Sequence, residues 1–235
     1  MTVLALEFSS PQRSAAVLHA GQVTEAVETG GRGTNAFGLI ERTLRAARIE
    51  REQVEVVAVG LGPGSYTGIR VAISLAQGWQ LARGVKLLGA GSADGLAAQA
   101  QAEGIFGRVN VVIDAQRGEF YLATWEISGT ERRQLAPLKI VPAAEIEART
   151  KAGEICLGPV VPPEGRVTRV PRSIGVPRRA VEVGLGSAAA KVMYPRAGAI
   201  LTLAAGRRDF ISGDQLEPIY LREVSFVKAP QSKVW

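Results

Sequence analysis

Residues 54–61, Val-Glu-Val-Val-Ala-Val-Gly-Leu, form a nearly continuous apolar run that Gly62-Pro63-Gly64 ends. A strand this apolar is one buried on both faces. Helical periodicity takes over from Gly68 to Arg83, and here the chain carries two apolar stripes. Ile69, Ala72, Ile73, Ala76 and Trp79 make one, and Val71, Leu75, Gly78, Leu81 and Ala82 the other. A helix apolar nearly all round is covered on both sides. One stripe can pack on the helix's own sheet; the other needs the preceding helix or another chain, and Ala72, Ala76, Gly78 and Ala82 would allow close approach.

Around this strand and helix the pattern alternates. Val3 to Phe8, Ser14 to His19 and Gln22 to Glu28 read as three antiparallel strands, with Gly21 at hairpin-turn spacing between the last two. Asn35 to Ile49 spaces Phe37, Ile40, Leu44 and Ala47 three or four apart with charges elsewhere, which predicts an amphipathic helix. Lys86 to Ala90 is a further strand and Ala93 to Gln101 an Ala-rich helix. The order is β-β-β-α-β-α-β-α, an α/β class chain. Gly104 to Arg108 is a boundary, dividing units 1–105 and 106–235, and the second unit begins as the first did. Strands over Val111–Ile113 and Glu119–Glu126 flank Asp114-Ala115-Gln116-Arg117-Gly118. A strand over Pro137–Val141, a helix over Ala143–Thr150, a Pro-rich loop from Gly158 to Val183, a helix over Gly186–Ala205 kinked at Pro195 and a last strand at Pro218–Leu221 complete the expectation.

Composition narrows the chemistry. With 28 Lys plus Arg against 22 Asp plus Glu the formal charge is +6, and 46% hydrophobic with 21% charged residues excludes a disordered chain. Cys156 is the one cysteine and His19 the one histidine, so an internal disulfide and a His-rich metal site are excluded. The start of the chain has no basic segment before its apolar run, and no run nears the roughly 18 apolar residues of a membrane span, so a cytoplasmic location is expected.

Four features are candidates for chemistry. Gly62 to Gly68 joins a strand to a helix, where backbone N–H groups can hold an anion, but its spacing fits neither the P-loop nor the dinucleotide fingerprint. It reads either as a turn capped by Ser65 or Thr67 or as an anion site. Glu7, followed by Ser9 and Ser10, and Asp114 end equivalent strands of the two units, where a nucleotide-and-metal cleft would have carboxylates. Arg166, Arg169, Arg172, Arg178 and Arg179 form a basic stretch that is either a solvated face or a contact for RNA. His19 lacks the partners of a hydrolase site, and Cys156 reads as an inert thiol.

Leu4-Ala5-Leu6-Glu7-Phe8-Ser9-Ser10, Ala58 to Arg70 with its Gly-Pro-Gly-Ser-Tyr-Thr-Gly-Ile-Arg block, Ile113 to Tyr121, and Pro218-Ile219-Tyr220-Leu221-Arg222 occur in this order over nearly the whole chain. Together they resemble the TsaB (YeaZ) family, which makes threonylcarbamoyladenosine in tRNA. The resemblance implies the actin-like ATPase (ASKHA) superfold, with two RNase H-like lobes of mixed sheets flanked by helices. It implies a non-catalytic scaffold with no cofactor of its own, which dimerises with TsaD and helps recruit the ATPase TsaE, with ATP and metal on those partners and tRNA as substrate of the complex. An isolated chain would pair with a second copy. The family's contact uses helices of the first lobe, which here gives Phe37, Ile40, Leu44, Ile69, Ala72, Ile73, Leu75, Ala76 and Trp79. Glu7, Ser9, Ser10, Gly62, Gly64, Ser65 and Asp114 then stand as a vestigial or working nucleotide site. The family's Asp-Thr-Ser is here Glu7-Phe8-Ser9, its His-Ser or His-Thr is Arg32-Gly33, and its Asp-Ala-Arg is Asp114-Ala115-Gln116, all of which weaken a phosphate site. The rival is an ATPase or phosphotransferase of the same superfold acting through Glu7 and Asp114.

Overall fold

A computed structural model describes residues 1–30, 35–160 and 190–221. The first sheet is built from β1 (Val3–Glu7), β2 (Gln12–His19), β3 (Gln22–Thr29), β4 (Val56–Gly60) and β5 (Lys86–Ala90), in the order β3-β2-β1-β4-β5. β1 pairs antiparallel with β2 and parallel with β4, in the registers Leu6↔Ala15 and Leu6↔Val59. The second sheet repeats this plan with β6 (Gly107–Asp114), β7 (Glu119–Ile127), β8 (Arg132–Pro142), β9 (Ile155–Gly158) and β10 (Ala190–Val192). Its order β8-β7-β6-β9-β10 matches the first strand for strand, with β6 antiparallel to β7 and parallel to β9. This duplication is the actin-like α/β architecture of two RNase H-like lobes.

Local chemistry places the helices. Asn35 caps α1 (Ala36–Ala47) by accepting from the Gly38 N–H at 3.0 Å, and Arg48 closes it in the left-handed region. Ser65 caps α2 (Tyr66–Arg83), and Gly84 at φ 68° ends it. Both helices lie on one face of the first sheet, where Leu39, Ile40 and Leu44 of α1 and Ile69, Ala72, Ile73 and Ala76 of α2 meet Leu4, Leu6, Val57 and Val59. On the other face the two lobes exchange helices. α3 (Ser92–Ala102) follows β5 yet packs Leu96, Ala97 and Ala100 against Val109, Val111 and Ile113 of the second sheet. α5 (Ala197–Ala204) follows β10 yet packs Ile200, Leu201 and Ala204 against Val3, Ala5, Val56 and Leu88 of the first. α4 (Ala143–Lys151) covers the outer face of the second sheet through Ile146, with Val112, Leu122 and Cys156.

Four expectations are corrected. β8 runs from Arg132, not Pro137, because its pairing with β7 continues through irregular register between Leu122 and Trp125. β9 was not expected; Ile155–Gly158 is short, and its parallel partner β6 supplies the pairing. The expected helix over Gly186–Ala205 is a strand at Ala190–Val192 and a helix only from Ala197, since Pro195 precedes the cap. Pro218–Leu221 is not a strand: the Ile219 N–H donates to the Leu61 carbonyl at 2.8 Å in otherwise irregular chain. Arg32-Gly33, the basic stretch from Arg166 to Arg179, most of the Pro-rich loop, Gly186 and Arg222 lie outside the described residues.

Candidate functional site

The end of β1 and the glycine loop are packed into each other. The Glu7 carboxylate is fully buried. Its Oε1 accepts from the Ser9 N–H at 2.8 Å and its Oε2 from the Ser92 hydroxyl at 2.7 Å. Ser92 Oγ in turn accepts from the Gly62 N–H at 3.1 Å. Burial pushes the Glu7 carboxyl above the usual carboxylate range, and the bonds from Ser9 and Ser92 oppose that rise without cancelling it. The carboxylate expected to face a ligand is thus a hub inside the fold.

The glycines are there for contact with this strand end. A Cβ at Gly60 would stand 2.1 Å from Glu7 Oε2, one at Gly64 2.1 Å from the Ser9 carbonyl oxygen, and one at Gly68 2.0 Å from that of Phe8. Each is closer than any real Cβ contact, so only glycine allows the approach. The loop's donors point the same way: Ser65 N–H bonds the Ser9 carbonyl at 2.6 Å and Gly68 N–H bonds Ser65 Oγ at 3.3 Å. Of the two readings of this loop, the capped structural turn fits these contacts. Ser9 and Ser10 are buried, and Ser10 Oγ donates to the Gln12 carbonyl at 2.7 Å.

Asp114, at the equivalent point of the second lobe, is exposed. It accepts from the Gln116 backbone N–H at 2.7 Å and from Gln116 Nε2 at 3.0 Å. Gln116, Arg117 and Gly118 all lie in the left-handed region, so the turn curls back on itself, with the Glu119 N–H on the Gln116 carbonyl at 3.1 Å. The family's arginine position is therefore taken by a residue that ties up the aspartate. A nucleotide phosphate with its metal does not fit this donor set: one carboxylate is buried on serines, the other is closed by its own turn, and the loop amides named above face inward. Among the described residues no group of three His, Cys, Asp or Glu is placed to hold a metal. His19 Nδ1 shares a 2.8 Å hydrogen bond with Thr2 Oγ1, and Cys156 is buried, with burial raising its thiol pKa.

The expected interface residues divide. Ile69, Ala72, Ile73 and Ala76, with Ile40 and Leu44, are core of the first lobe, because a helix on a sheet has one inner face and these residues form it. The outer stripe is open in part: Leu81 is 90% exposed and Gly78 and Ala82 are exposed, whereas Val71 and Leu75 are half-buried and pack against the first-lobe core, as does Trp79 of the inner stripe. Phe37 of α1 is 72% exposed.

Residues 211–221 strap the opposite flank of α2. Gln77 Nε2 donates to the Gly213 carbonyl at 2.7 Å, the Gly213 N–H donates to Gln80 Oε1 at 2.8 Å, and Leu216 enters the core. Tyr220 stacks on Tyr66 with ring centroids 5.6 Å apart, and the Arg70 guanidinium lies 4.2 Å over Tyr66. Neither this strap nor the role of Ser92 follows from the sequence reading; Gln77 and Gln80, two long polar side chains on the same side of a largely apolar helix, were the available signal.

Comparison with known proteins agrees with this architecture. The sequence model of the family described as TsaD, tRNA N6-adenosine threonylcarbamoyltransferase, matches residues 34–207. The tRNA threonylcarbamoyladenosine biosynthesis protein TsaB of Haemophilus influenzae is 28% identical over 251 residues, covering 98% of each chain. TsaB of Escherichia coli is 28% identical over 128 residues, 54% of this chain and 55% of that one. The structure of YeaZ from Pseudomonas aeruginosa superposes with a TM-score of 0.71 at 25% identity, covering 94% of this chain and 99% of that one. A second Pseudomonas aeruginosa structure, of a protein with similarity to peptidase YEAZ, gives a TM-score of 0.73 at 27% identity, with the same coverage. No described helix is long and apolar enough to cross a membrane. With its duplicated sheets, its Gly62–Gly68 loop and these matches, the chain belongs to the threonylcarbamoyltransferase family, in the TsaB (YeaZ) branch of proteins named for threonylcarbamoyladenosine biosynthesis.

Proposed function

We propose that this chain is a non-catalytic scaffold of the machinery that forms threonylcarbamoyladenosine in tRNA. It dimerises with a TsaD-like protein through α1 and the outer stripe of α2, and the pair recruits a TsaE-like ATPase. ATP and metal belong to those partners, tRNA is the substrate of the complex, and the site of action is the cytoplasm. An isolated chain uses the same face for a second copy.

The observation that carries this reading is the outer stripe of α2. Val71 and Leu75 rest partly on the first-lobe core, and Gly78, Leu81 and Ala82 beside them are exposed, which leaves an apolar strip partly in solvent on a helix whose inner stripe already fills the core. An exposed apolar strip bordered by a packed strap is the surface of a docking helix. The state of the strand-end carboxylates supports the same reading, because neither Glu7 nor Asp114 is free to hold a nucleotide's metal.

Leu75→Glu tests it. Leu75 belongs to the outer stripe and is half-buried beside the core, so a carboxylate there keeps access to water in the free chain through its open side and is desolvated in the dimer. Co-elution with the TsaD-like protein should be lost while the circular dichroism spectrum is kept. Undiminished co-elution would remove α2 from the interface. Calorimetry of the isolated chain with ATP and magnesium should show no heat; tight binding would instead support the ATPase reading.

A further inference from the structure

A groove of about 540 Å³ lies where α3 and α5 meet between the lobes, on the side of the first sheet away from α1 and α2. That is the size of a small-molecule site. Its apolar lining is small: Ala98 and Ala102 of α3, Gly198 and Ala199 of α5. Its polar lining carries both signs, with Arg132 from the second sheet and Glu25 from the first.

The acids of the groove are already partnered. Glu25 Oε2 accepts from Arg196, and its Oε1 from the Gly198 N–H at 3.0 Å. Glu103 accepts from Lys191 at 2.7 Å and from Gln99 Nε2 at 3.2 Å. Arg132 differs: among the described residues it makes no ion pair, and its Nη1 donates to the neutral Oε1 of Gln101. Gln101 is itself fixed, its Nε2 donating to the Ser128 carbonyl at 2.7 Å. The next acid along α3 is Asp94; burial holds its carboxyl above the usual range, against the opposing pull of the Arg132 charge. A half-buried guanidinium is thus oriented by an amide and keeps donors to spare. Nearby in the same lining, Gln99 Oε1 is buried without a hydrogen-bond partner among the described residues, a cost that a ligand donor can relieve.

We propose that this groove binds a small molecule carrying one carboxylate with a hydrogen-bond donor beside it, the chemistry shared by 2-amino and 2-hydroxy acids. The carboxylate pairs with the guanidinium fork of Arg132, whose planar geometry matches it. The donor goes to Glu25 or Glu103, whose oxygens each have one protein partner and a second lone pair. A dianion would meet both glutamates and a simple cation would meet Arg132, so the lining selects against either. The groove is behind the docking face of α1 and α2, so this proposal and the scaffold reading stand or fall separately.

Titration of the full chain with L-serine, lactate and inorganic phosphate tests it, read on the side-chain amide signals of Gln99 and Gln101 in nitrogen-15 NMR spectra. L-Serine or lactate should saturate these shifts with a Kd of about 1 mM, and phosphate should bind at least about tenfold more weakly. Saturation by serine alone assigns the donor to an ammonium, and by lactate alone to a hydroxyl. Arg132→Gln removes the fork and should weaken binding at least about tenfold. Thr202→Phe fills the groove from an exposed position without touching a charged group, so it keeps the proposal testable if Arg132→Gln does not fold. It should abolish the shifts and leave the rest of the spectrum unchanged. No shift with either acid at up to about 50 mM overturns the proposal. So does binding that both variants leave unchanged, or phosphate that binds as tightly as the acids.

Discussion

On α2, Ile69, Ala72, Ile73 and Ala76 are buried against the first sheet, whereas Val71, Leu75, Gly78, Leu81 and Ala82 are half-buried or open to solvent. The two stripes have similar composition, so apolar periodicity alone does not tell them apart. What separates them is layer geometry. A helix on a sheet offers one face to the strands, and the inner stripe includes Gly68, which must touch the Phe8 carbonyl. On the other face Val71 and Leu75 reach the edge of the core while Gly78, Leu81 and Ala82 stay open, and in this fold the remaining layers are taken elsewhere, with α3 and α5 on the far faces of the two sheets. An apolar stripe left over after the layers are assigned marks a contact the chain cannot make alone.

The largest effect that would sharpen this contrast is at the inner stripe's first residue. Gly68→Ala puts a methyl group 2.0 Å from a backbone oxygen, so about 3 kcal/mol or more of stability should be lost in urea denaturation. A loss under about 1 kcal/mol would mean that strand and loop separate easily. Next is Ile69→Ala, fully buried, which should cost about 3 kcal/mol by the same measurement. Its outer counterpart Leu81→Ala should change stability by less than about 0.5 kcal/mol, and equal costs at the two positions would break the comparison.

Glu7 contrasts in the same way with Asp114, its equivalent in the second lobe. The carboxyl pKa of folded Glu7 is raised, so its contribution to stability is full below the ordinary carboxylate range and is lost as pH rises through the folded value. Glu7→Gln keeps the shape without the charge. Its stability relative to wild type should therefore climb with pH across that window in paired urea titrations. Asp114, by contrast, is exposed and bonded only to Gln116 within its own turn. A flat difference for Glu7→Gln would mean that the buried carboxylate is charged at little cost.

Much of the first lobe was legible because its signals are local. The Asn35 and Ser65 caps, Gly21 in its hairpin and Gly84 after α2 each act within a few residues. The departures came where the deciding contact is distant in sequence. Glu7 depends on Ser92, 85 residues away, so nothing near Glu7 indicates that the carboxylate turns inward. β9 owes its strand to β6, and β10 pairs in turn with β9, although Ala190–Val192 has no strand pattern of its own. Pro218–Leu221 has the composition of a strand, but its Ile219 N–H bonds the Leu61 carbonyl without starting a ladder, beside a β5 edge already bridged by Ile211. Of the residues expected at the interface, Phe37, Leu75 and Trp79 keep solvent-facing surface, whereas Ile40, Leu44, Ile69, Ala72, Ile73 and Ala76 lie in the core, since either stripe could have faced the sheet until the loop contacts oriented the helix.

The central claim is that the outer stripe of α2 is the docking face, and side-chain footprinting of Leu81 tests it most directly. Leu81 is 90% exposed in the free chain, so radical or carbene labelling should mark it strongly. On addition of the TsaD-like protein the labelling should fall several-fold, while that of Val23, which is 58% exposed on β3, should not change. A complex that forms with Leu81 still fully labelled would contradict the account.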